Sequence, residues 1–167
     1  MQQRMTLDEV RDEDFDLMLR GEPITRLGVK QPPGGVENPA VLEIVRKITA
    51  RLHENNCRGA WMMVWGEELV GLCSFRRPPE NGEVEIGYGV AESRRGRGHA
   101  TRAVRAIAQA AKAEGVRVLL AETSVANPAS GRVLEKSGFV TTGTRIDPED
   151  GEVLVWRKEL FSVTSAY

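Results

Sequence analysis

The segment around which the rest of the chain is organised lies near its middle and reads Ser93-Arg94-Arg95-Gly96-Arg97-Gly98-His99-Ala100-Thr101. It stands between a strand pattern and a helix pattern. Its glycines let successive backbone N–H groups turn toward one point, the following helix adds partial positive charge at its start, and the arginines add full charges. The segment therefore suits a pyrophosphate, with a simple tight turn as the alternative. It lacks the Gly-Lys-Ser/Thr ending of a P-loop and the third glycine of a dinucleotide-binding loop.

The residues before this segment predict a strand over 82–90 whose two faces differ. Apolar side chains occupy one face, at Val84, Ile86, Tyr88 and Val90. The other face carries Glu83, Glu85, Gly87 and Gly89. Side chains alternate between the faces of a strand, and glycines leave a face without side chains. We therefore expect another molecule to approach this backbone closely.

Helix and strand patterns extend in both directions from this strand. Helical spacing predicts helices over residues 12–20, 40–53, 98–114 and 128–136, with Asp12 capping the first. Apolar β-prone runs predict strands over residues 5–10, 60–65, 69–75, 116–121, 139–146 and 153–160. Strands group before and after a β-loop-α-β unit, which favours an α+β fold with a mixed sheet and helices on both faces.

Two neighbouring segments precede the first hairpin. Residues 21–39 are rich in glycine and proline, which predicts mostly irregular structure. Long loops of this kind are often functional lids or walls, and a plain surface connection is the alternative. In the helix that follows, one apolar stripe predicts packing against the core, and we expect it to be structural: Val41, Ile44, Val45, Ile48 and Leu52.

Composition narrows the class of protein. A length of 167 residues predicts a single domain over residues 1–167. The net charge of -1 gives no basic field for nucleic acid. A polar, acidic start and the lack of a long apolar run predict a cytoplasmic protein without a membrane partner. Cys57 and Cys73 lack CxxC spacing, and His53 and His99 lack ligand spacing, so neither a disulfide framework nor a metal is expected.

Three motifs stand in order along the chain. They are Glu85-Ile86-Gly87-Tyr88, then Arg95-Gly96-Arg97-Gly98-His99-Ala100-Thr101, then Asn127-x-x-Ser130-x-x-Val133-Leu134-Glu135-Lys136-x-Gly138-Phe139. Together they resemble the GNAT N-acetyltransferase superfamily, and within it the branch that acetylates the alanine or serine N-termini of ribosomal proteins. The family signature is Gln/Arg-x-x-Gly-x-Gly/Ala, from which the chain departs at Ser93. The resemblance implies a three-layer fold around a mixed, mostly antiparallel sheet of about six to seven strands.

The resemblance implies acetyl-CoA as a cosubstrate and indicates where it would bind. The pantetheine arm would run beside Tyr88, Gly89 and Val90, where their strand separates from residues 118–122. The pyrophosphate would lie against the loop made of Arg94, Arg95, Gly96, Arg97, Gly98, His99, Ala100 and Thr101. Within this loop His99 is expected to support the shape of the loop, because a proton shuttle must lie near the thioester.

The resemblance also implies catalytic roles. Glu85 matches the family's base, acting directly or through water, and Ser130 matches a hydroxyl that protonates the departing thiolate. Asn127 would orient the cofactor. Many family members use a tyrosine as the acid, and the lack of tyrosine between Tyr88 and Tyr167 favours Ser130. Each residue has a structural alternative, Glu85 as an exposed strand carboxylate and the other two as an ordinary helix start.

The implied activity is transfer of an acetyl group from acetyl-CoA to a primary amine by direct attack in a ternary complex. The amine is a protein N-terminus or a small molecule. Acidic residues in loops, at positions 22, 37 and 147–152, could attract a cationic amine. The alternative is that they are ordinary surface charges. Many proteins that resemble this family are dimers, so a homodimer is possible. Two other classes stay open: a non-catalytic acyl-CoA-sensing module and a nucleotide-binding regulator that uses the arginine loop.

Overall fold

The structure, a computed structural model, describes residues 2–161, which form a central sheet flanked by helices. The α-helices of this range are α1 (Asp12–Arg20), α2 (Pro39–Glu54), α3 (His99–Ala113) and α4 (Pro128–Lys136). The strands are β1 (Met5–Glu9), β2 (Ala60–Trp65), β3 (Glu68–Phe75), β4 (Glu83–Val90), β5 (Val118–Ser124), β6 (Val140–Asp147) and β7 (Gly151–Glu159). Short 3₁₀ helices lie at Thr25–Leu27 and Glu92–Arg94.

The strands join one seven-stranded sheet in the order β1-β2-β3-β4-β5-β7-β6. Every neighbouring pair is antiparallel except β4 and β5, which run parallel. The predicted α+β class and the mixed, mostly antiparallel sheet are therefore confirmed. The β2–β3 and β6–β7 hairpins are confirmed as well.

The parallel pair is short, and its length creates a gap in the sheet. β4 and β5 pair only through Glu83–Glu85 and Val118–Leu120. The remainder of β4 pairs with β3 alone, and β5 continues along β7. The two strands therefore separate after Glu85, and the facing edges of residues 86–90 and 121–124 border an open space.

Helices cover both faces of the sheet. On one face α3 packs against β1 and β4, and α4 packs against α3 and β5. α1 and α2 pack against each other on the opposite face, where α2 borders a cleft together with Gly87 and Gly89 of β4. The three-layer arrangement is confirmed. A continuous apolar core joins the layers, with Phe15, Phe75 and Leu119 fully enclosed.

Two element boundaries differ from the sequence prediction. Asp12 is the first residue of α1 and not its cap, because Arg11 occupies the cap position and its backbone N–H donates to the Asp14 carboxylate at 2.7 Å. Asp14 is 1% exposed and also accepts hydrogen bonds from Arg26. β5 is shifted toward the C-terminus and ends at Ser124, because its polar end pairs with β7.

The apolar stripe of α2 is not all core, which corrects the prediction that it is purely structural packing. The buried residues of α2 are Leu42, Thr49 and Leu52. Ile44 is 56% exposed, and it lines the cleft over β4 together with Val41, Val45 and Ile48. Helical periodicity identifies the apolar side of a helix. It does not show whether the neighbouring surface is in contact or leaves a space.

Among residues 2–161, no helix is both long enough and apolar enough to cross a bilayer. The same part of the chain contains no cluster of three or more His, Cys, Asp or Glu side chains that could hold a metal ion. Cys57 and Cys73 are buried and unpaired, and burial raises the pKa of both thiols. Both cysteines belong to the apolar core.

Candidate active site

The loop between β4 and α3 has a backbone conformation that glycine adopts without strain. Gly96 has a φ of 77° and Gly98 a φ of 80°, values at which a Cβ atom would crowd the backbone carbonyl. Gly98 is also the N-cap of α3, and no side chain caps this helix. The two glycines therefore shape a turn, and the first backbone N–H groups of α3 have no capping side chain.

The backbone N–H groups of residues 96–101 form a row without acceptors. Within residues 2–161 none of them donates to a protein oxygen, whereas the next group, the Arg102 N–H, donates to the Gly98 carbonyl at 3.1 Å. The first N–H groups of a helix have no partner inside the helix and carry its positive partial charge. The predicted loop residues Gly96, Gly98, Ala100 and Thr101 contribute donors to this row. It is a site that can hold an anion such as a pyrophosphate.

The three arginines of the loop differ in their partners. Arg94 forms an ion pair with Glu68, with Nη2 and Oε2 3.0 Å apart, and this contact lowers the pKa of the Glu68 carboxyl. The Arg95 Nε donates to the Val90 carbonyl at 3.2 Å and so ties the loop to the end of β4. Arg97 is exposed and makes no ion pair with an acid among the described residues. The charges of Arg95 and Arg97 are therefore available to a bound anion, whereas Glu68 balances that of Arg94.

His99 lies beneath the loop and supports it. Its side chain is 4% exposed, and its ring centroid is 5.2 Å from that of Trp65. The Arg102 guanidinium lies 4.4 Å from the Trp65 ring centroid and donates to the Arg97 carbonyl at 2.7 Å. Burial, reinforced by Arg102 and Arg97, lowers the pKa of His99. This packing agrees with a supporting role, because the ring is buried in the wall behind the N–H row.

Tyr88 reaches from β4 to α4 next to the gap between β4 and β5. Its hydroxyl donates to the Ser130 backbone carbonyl at 3.1 Å and lies 3.0 Å from the Ser130 Oγ. Burial raises the pKa of Tyr88, and the hydrogen bond to Ser130 opposes that effect. Sequence reasoning placed these residues in separate roles, and the structure joins them as a hydroxyl pair on the α4 side of the sheet.

Glu85 lies on the other face of β4, at the last pair before the strands separate. Its carboxylate contacts Arg76 at 3.2 Å and Arg77 at 3.5 Å, and its side chain is 18% exposed. It borders an open groove of about 430 Å³. Burial raises the pKa of Glu85, opposed mainly by the charge of Arg76. The alternative of an exposed strand carboxylate therefore does not describe this residue.

Asn127 caps α4 and lies close to Ser130. Its Oδ1 accepts the Ser130 backbone N–H at 3.4 Å, and Pro128 occupies the first turn. The structural alternative for Asn127, a helix cap, is thus present. Its side-chain NH₂ group makes no hydrogen bond within residues 2–161 and is free to donate to a ligand.

Sequence reasoning missed the contribution of α2, whereas it did offer a functional role for the loop of residues 21–39 that precedes it. Besides the α2 stripe, the cleft over β4 is bordered by Glu37, Gly87 and Gly89, and its volume is about 180 Å³. A Cβ atom on Gly89 would lie 3.3 Å from the Glu37 Oε2. The glycines of β4 therefore leave room on the α2 side of the sheet for side chains from elsewhere, Glu37 beside Gly89 and Arg76 beside Gly87. The signal available in the sequence was the coincidence of an apolar helix stripe, a glycine-lined strand face and an irregular preceding loop.

The arrangement brings together groups suited to acyl transfer. The N–H row lies at one end of the gap, the hydroxyl pair of Tyr88 and Ser130 on one face of the sheet, and the Glu85 carboxylate on the other. A carboxyl with a raised pKa can accept a proton near neutral pH, and a hydroxyl can supply one. Acid and base groups thus flank the same strand, next to a site for a phosphorylated ligand.

Comparison with known proteins agrees with this geometry. A family model described as "Acetyltransferase (GNAT) domain" matches residues 4–140. The ribosomal-protein-serine acetyltransferase of Escherichia coli (strain K12) is 34% identical over 94 residues, covering 55% of this chain and 52% of the relative. The aligned region thus spans about half the length of that protein.

Solved structures share the fold over nearly the whole chain. RimL, a ribosomal-protein alpha-N-acetyltransferase in complex with coenzyme A, has a TM-score of 0.68 at 19% identity and covers 93% of this chain and 94% of its own. AAC(6')-Ib in complex with parmomycin and acetyl-CoA has a TM-score of 0.69 at 18% identity and covers 98% of both chains. Since the family model covers most of the sequence and the fold agrees, the chain belongs to the GNAT acetyltransferase family.

Proposed function

We propose that this chain is an acetyl-CoA-dependent N-acetyltransferase that transfers the acetyl group to a primary amine by direct attack. The observation that carries the proposal is the row of N–H groups at residues 96–101, next to a gap in the sheet that has acid and base groups on its two faces. A non-catalytic acyl-CoA-sensing module, the alternative, would need the row and the gap but neither Glu85 nor Ser130.

In the proposed complex the pyrophosphate lies on the N–H row, with Arg95 and Arg97 adding charge. The pantetheine arm enters the gap and pairs with the free edge of β4 near Tyr88, Gly89 and Val90. Support comes from the short β4–β5 pairing, which leaves this edge without a strand partner. Asn127 and Thr101 lie at the two helix starts that border the gap and would donate to the cofactor. Backbone donors and a helix start together bind phosphate groups in this way.

The proposed reaction has one bond-forming and one bond-breaking step. The neutral amine attacks the thioester carbonyl carbon, the C–S bond breaks, and an amide and a thiolate form. Glu85 takes the proton that the amine loses, directly or through water, and releases it to solvent. The Ser130 hydroxyl protonates the thiolate sulfur, and the Ser130 Oγ regains a proton from solvent. Tyr88 positions the Ser130 side chain through the contact between their hydroxyls. Raised pKa values are typical of such bases.

Direct attack is favoured over a covalent acyl-enzyme. A cysteine nucleophile acts as the thiolate, and a raised pKa disfavours that form. Burial raises the pKa of Cys57 and Cys73. Neither thiol is therefore suited to form a thioester intermediate, and the amine itself is the nucleophile.

The proposed acceptor is a protein N-terminus or a small-molecule amine. The similar proteins include ribosomal-protein acetyltransferases and AAC(6')-Ib in complex with parmomycin, which support both kinds. We further propose a single domain over residues 1–167 and a cytoplasmic location. A homodimer, and the lack of nucleic-acid and membrane partners, stay predictions.

Thermal unfolding with and without acetyl-CoA tests the cofactor site. A ligand bound only by the native state, at a hundred times its Kd, adds about 2.7 kcal/mol of stability, which for a chain of this size raises Tm by roughly 5–11 °C. Gly96→Glu and Gly98→Glu place a carboxylate against the N–H row and should abolish the shift. Tight ATP binding without acetyl-CoA binding would support the nucleotide-binding regulator and reject the proposal.

Turnover separates the enzyme from the sensing module. Glu85→Gln and Ser130→Ala should lower the rate of CoA release in the presence of an amine while leaving acetyl-CoA affinity unchanged. Unchanged turnover in both variants would reject the two catalytic assignments. Acetyl-CoA binding without turnover on any amine would favour the sensing module.

A further inference from the structure

The cleft between α2 and the sheet has an apolar wall and a floor that carries few side chains. α2 supplies the wall with Val41, Ile44, Val45 and Ile48. The floor consists of β3 and β4, where Gly89 has no side chain and the Arg76 side chain lies over Gly87. This cleft lies on the face of β4 opposite the Tyr88–Ser130 pair, because side chains alternate along a strand. An acceptor in the cleft would therefore approach β4 from the side opposite α4.

Glu37 is a free carboxylate at this cleft. Its Oε1 accepts the Asn38 backbone N–H at 3.0 Å, and its Oε2 points at the floor near Gly89. Within residues 2–161 no lysine, arginine or histidine forms an ion pair with it. An ammonium group is the natural partner for a half-buried carboxylate without a cation.

Among the described residues that line the cleft, Glu37 is the only acid and Arg76 the only cation. The Arg76 Nε lies 3.2 Å from the Glu85 carboxylate, which borders the neighbouring groove. The charge of Arg76 is therefore balanced by Glu85, and Glu37 is left as the carboxylate of the cleft without a cation partner.

We propose that the acceptor is a primary amine with a single positive charge and an apolar group next to the amine, an inference that rests on the proposed acetyltransferase function. Glu37 binds the ammonium group of the incoming acceptor, which loses a proton to solvent before the neutral amine attacks, and the α2 wall binds the apolar group. A bound amine beside Gly89 lies on the strand face that also carries Glu85, with the Arg76 side chain over Gly87 between them. A polyamine or a polycationic sugar would leave further ammonium groups against an apolar wall, which is unfavourable.

The size of the cleft fits a small apolar group. Its volume is about 180 Å³, and an engineered apolar cavity of about 150 Å³ in another protein binds benzene. A phenyl ring or a branched aliphatic group of four or five carbons is of this scale. Each methylene group removed from water should raise the kcat/KM of the acceptor about fourfold until the cleft is full.

A panel of amines tests the inference by the release of CoA from acetyl-CoA. The panel contains n-propylamine, n-butylamine, n-pentylamine and phenethylamine, with spermidine and kanamycin as polycations. We expect kcat/KM to rise along the alkylamine series and to exceed the values for spermidine and kanamycin at least tenfold. A preference for the polycations, or a flat alkylamine series, would overturn the inference and leave the acetyltransferase function standing.

Two variants locate the effect at the cleft. Ile44→Ser should remove most of the gain along the alkylamine series, and Glu37→Gln should raise KM for every monoamine while changing kcat little. Ile146→Ser is the matched control, since Ile146 is also an exposed isoleucine, 74% exposed, and lies on β6. An equal effect of Ile44→Ser and Ile146→Ser would overturn the placement of the apolar group.

A binding measurement keeps the test independent of turnover. Calorimetric titration of n-pentylamine into the protein with bound CoA should show binding that Ile44→Ser weakens. If acetyl-CoA raises Tm and no amine reacts, the acetyltransferase function fails while this titration still decides the occupant of the cleft. No detectable n-pentylamine binding would overturn the inference.

Discussion

Replacing Gly96 by alanine should weaken acetyl-CoA binding about 5- to 30-fold. At a φ of 77°, a residue with a Cβ atom is disfavoured by about 1–2 kcal/mol relative to glycine, and a factor of ten in affinity corresponds to about 1.4 kcal/mol. The loop is exposed, and an added Cβ on Gly96 meets nothing within 4 Å. The free loop can therefore relax away from the strained turn. The ligand must restore that turn to meet the N–H row, so the strain reduces affinity.

Gly115→Ala provides a control with the same local strain. Gly115 has a φ of 84°, and an added Cβ there also meets nothing within 4 Å, but this glycine follows the far end of α3. Its strain should appear as lost stability, lowering Tm by about 2–8 °C, with unchanged acetyl-CoA affinity.

Isothermal titration calorimetry with acetyl-CoA and scanning calorimetry of the free proteins measure both effects. The reasoning is refuted if Gly96→Ala binds acetyl-CoA as tightly as the wild type, or if the two alanine variants lose affinity equally. Either result would mean that the conformation of this loop does not set the affinity.

The remaining predictions concern the hydroxyl pair, the base and the core. Tyr88→Phe should lower kcat less than Ser130→Ala does and leave acetyl-CoA affinity unchanged, and the double variant should resemble Ser130→Ala, since Tyr88 acts through Ser130. Burial raises the pKa of Glu85, so the carboxylate form that acts as base is lost below that raised pKa. kcat/KM should therefore fall as pH decreases, with a midpoint above the ordinary glutamate range. Glu85→Gln should remove this dependence from the pH–rate profile. Trp156→Phe removes the indole N–H that donates to the buried Thr123 hydroxyl at 2.8 Å. The loss should destabilise the fold by about 1–3 kcal/mol, which calorimetry would record as a Tm decrease of roughly 2–12 °C. An unchanged Tm would show that this hydrogen bond does not contribute to stability.

Local patterns were sufficient for the elements and for the anion loop. Alternating apolar residues identified β4, and proline at the first turn identified α4 with the bounds Pro128–Lys136 that the structure has. The glycines at 96 and 98 adopt the positive φ angles that glycine favours. These features depend on interactions within a few residues, which a sequence displays directly.

Contacts between distant segments were not predictable in the same way. Periodicity predicts that the stripe of α2 belongs to the core, but Ile44 is 56% exposed and borders a cleft. Periodicity does not report the distance to the opposing surface. The pairing of Arg94 with Glu68, across 26 positions of sequence, likewise converts an apparent phosphate-binding charge into an internal ion pair. Both outcomes depend on how the strands bring separate parts of the chain together.

The mixed sheet and the glycine loop at the start of α3 could be inferred from the order of residues, because backbone preferences and side-chain alternation are local. Glu85 and Ser130 were singled out by the resemblance of their motifs to the GNAT family. The fold added the point at which the gap opens, directly after Glu85, and the hydroxyl contact between Tyr88 and Ser130. It also placed the Glu37 carboxylate beside Gly89 of β4. Those features follow from strand register and helix placement, which are set by packing of the whole chain against one core.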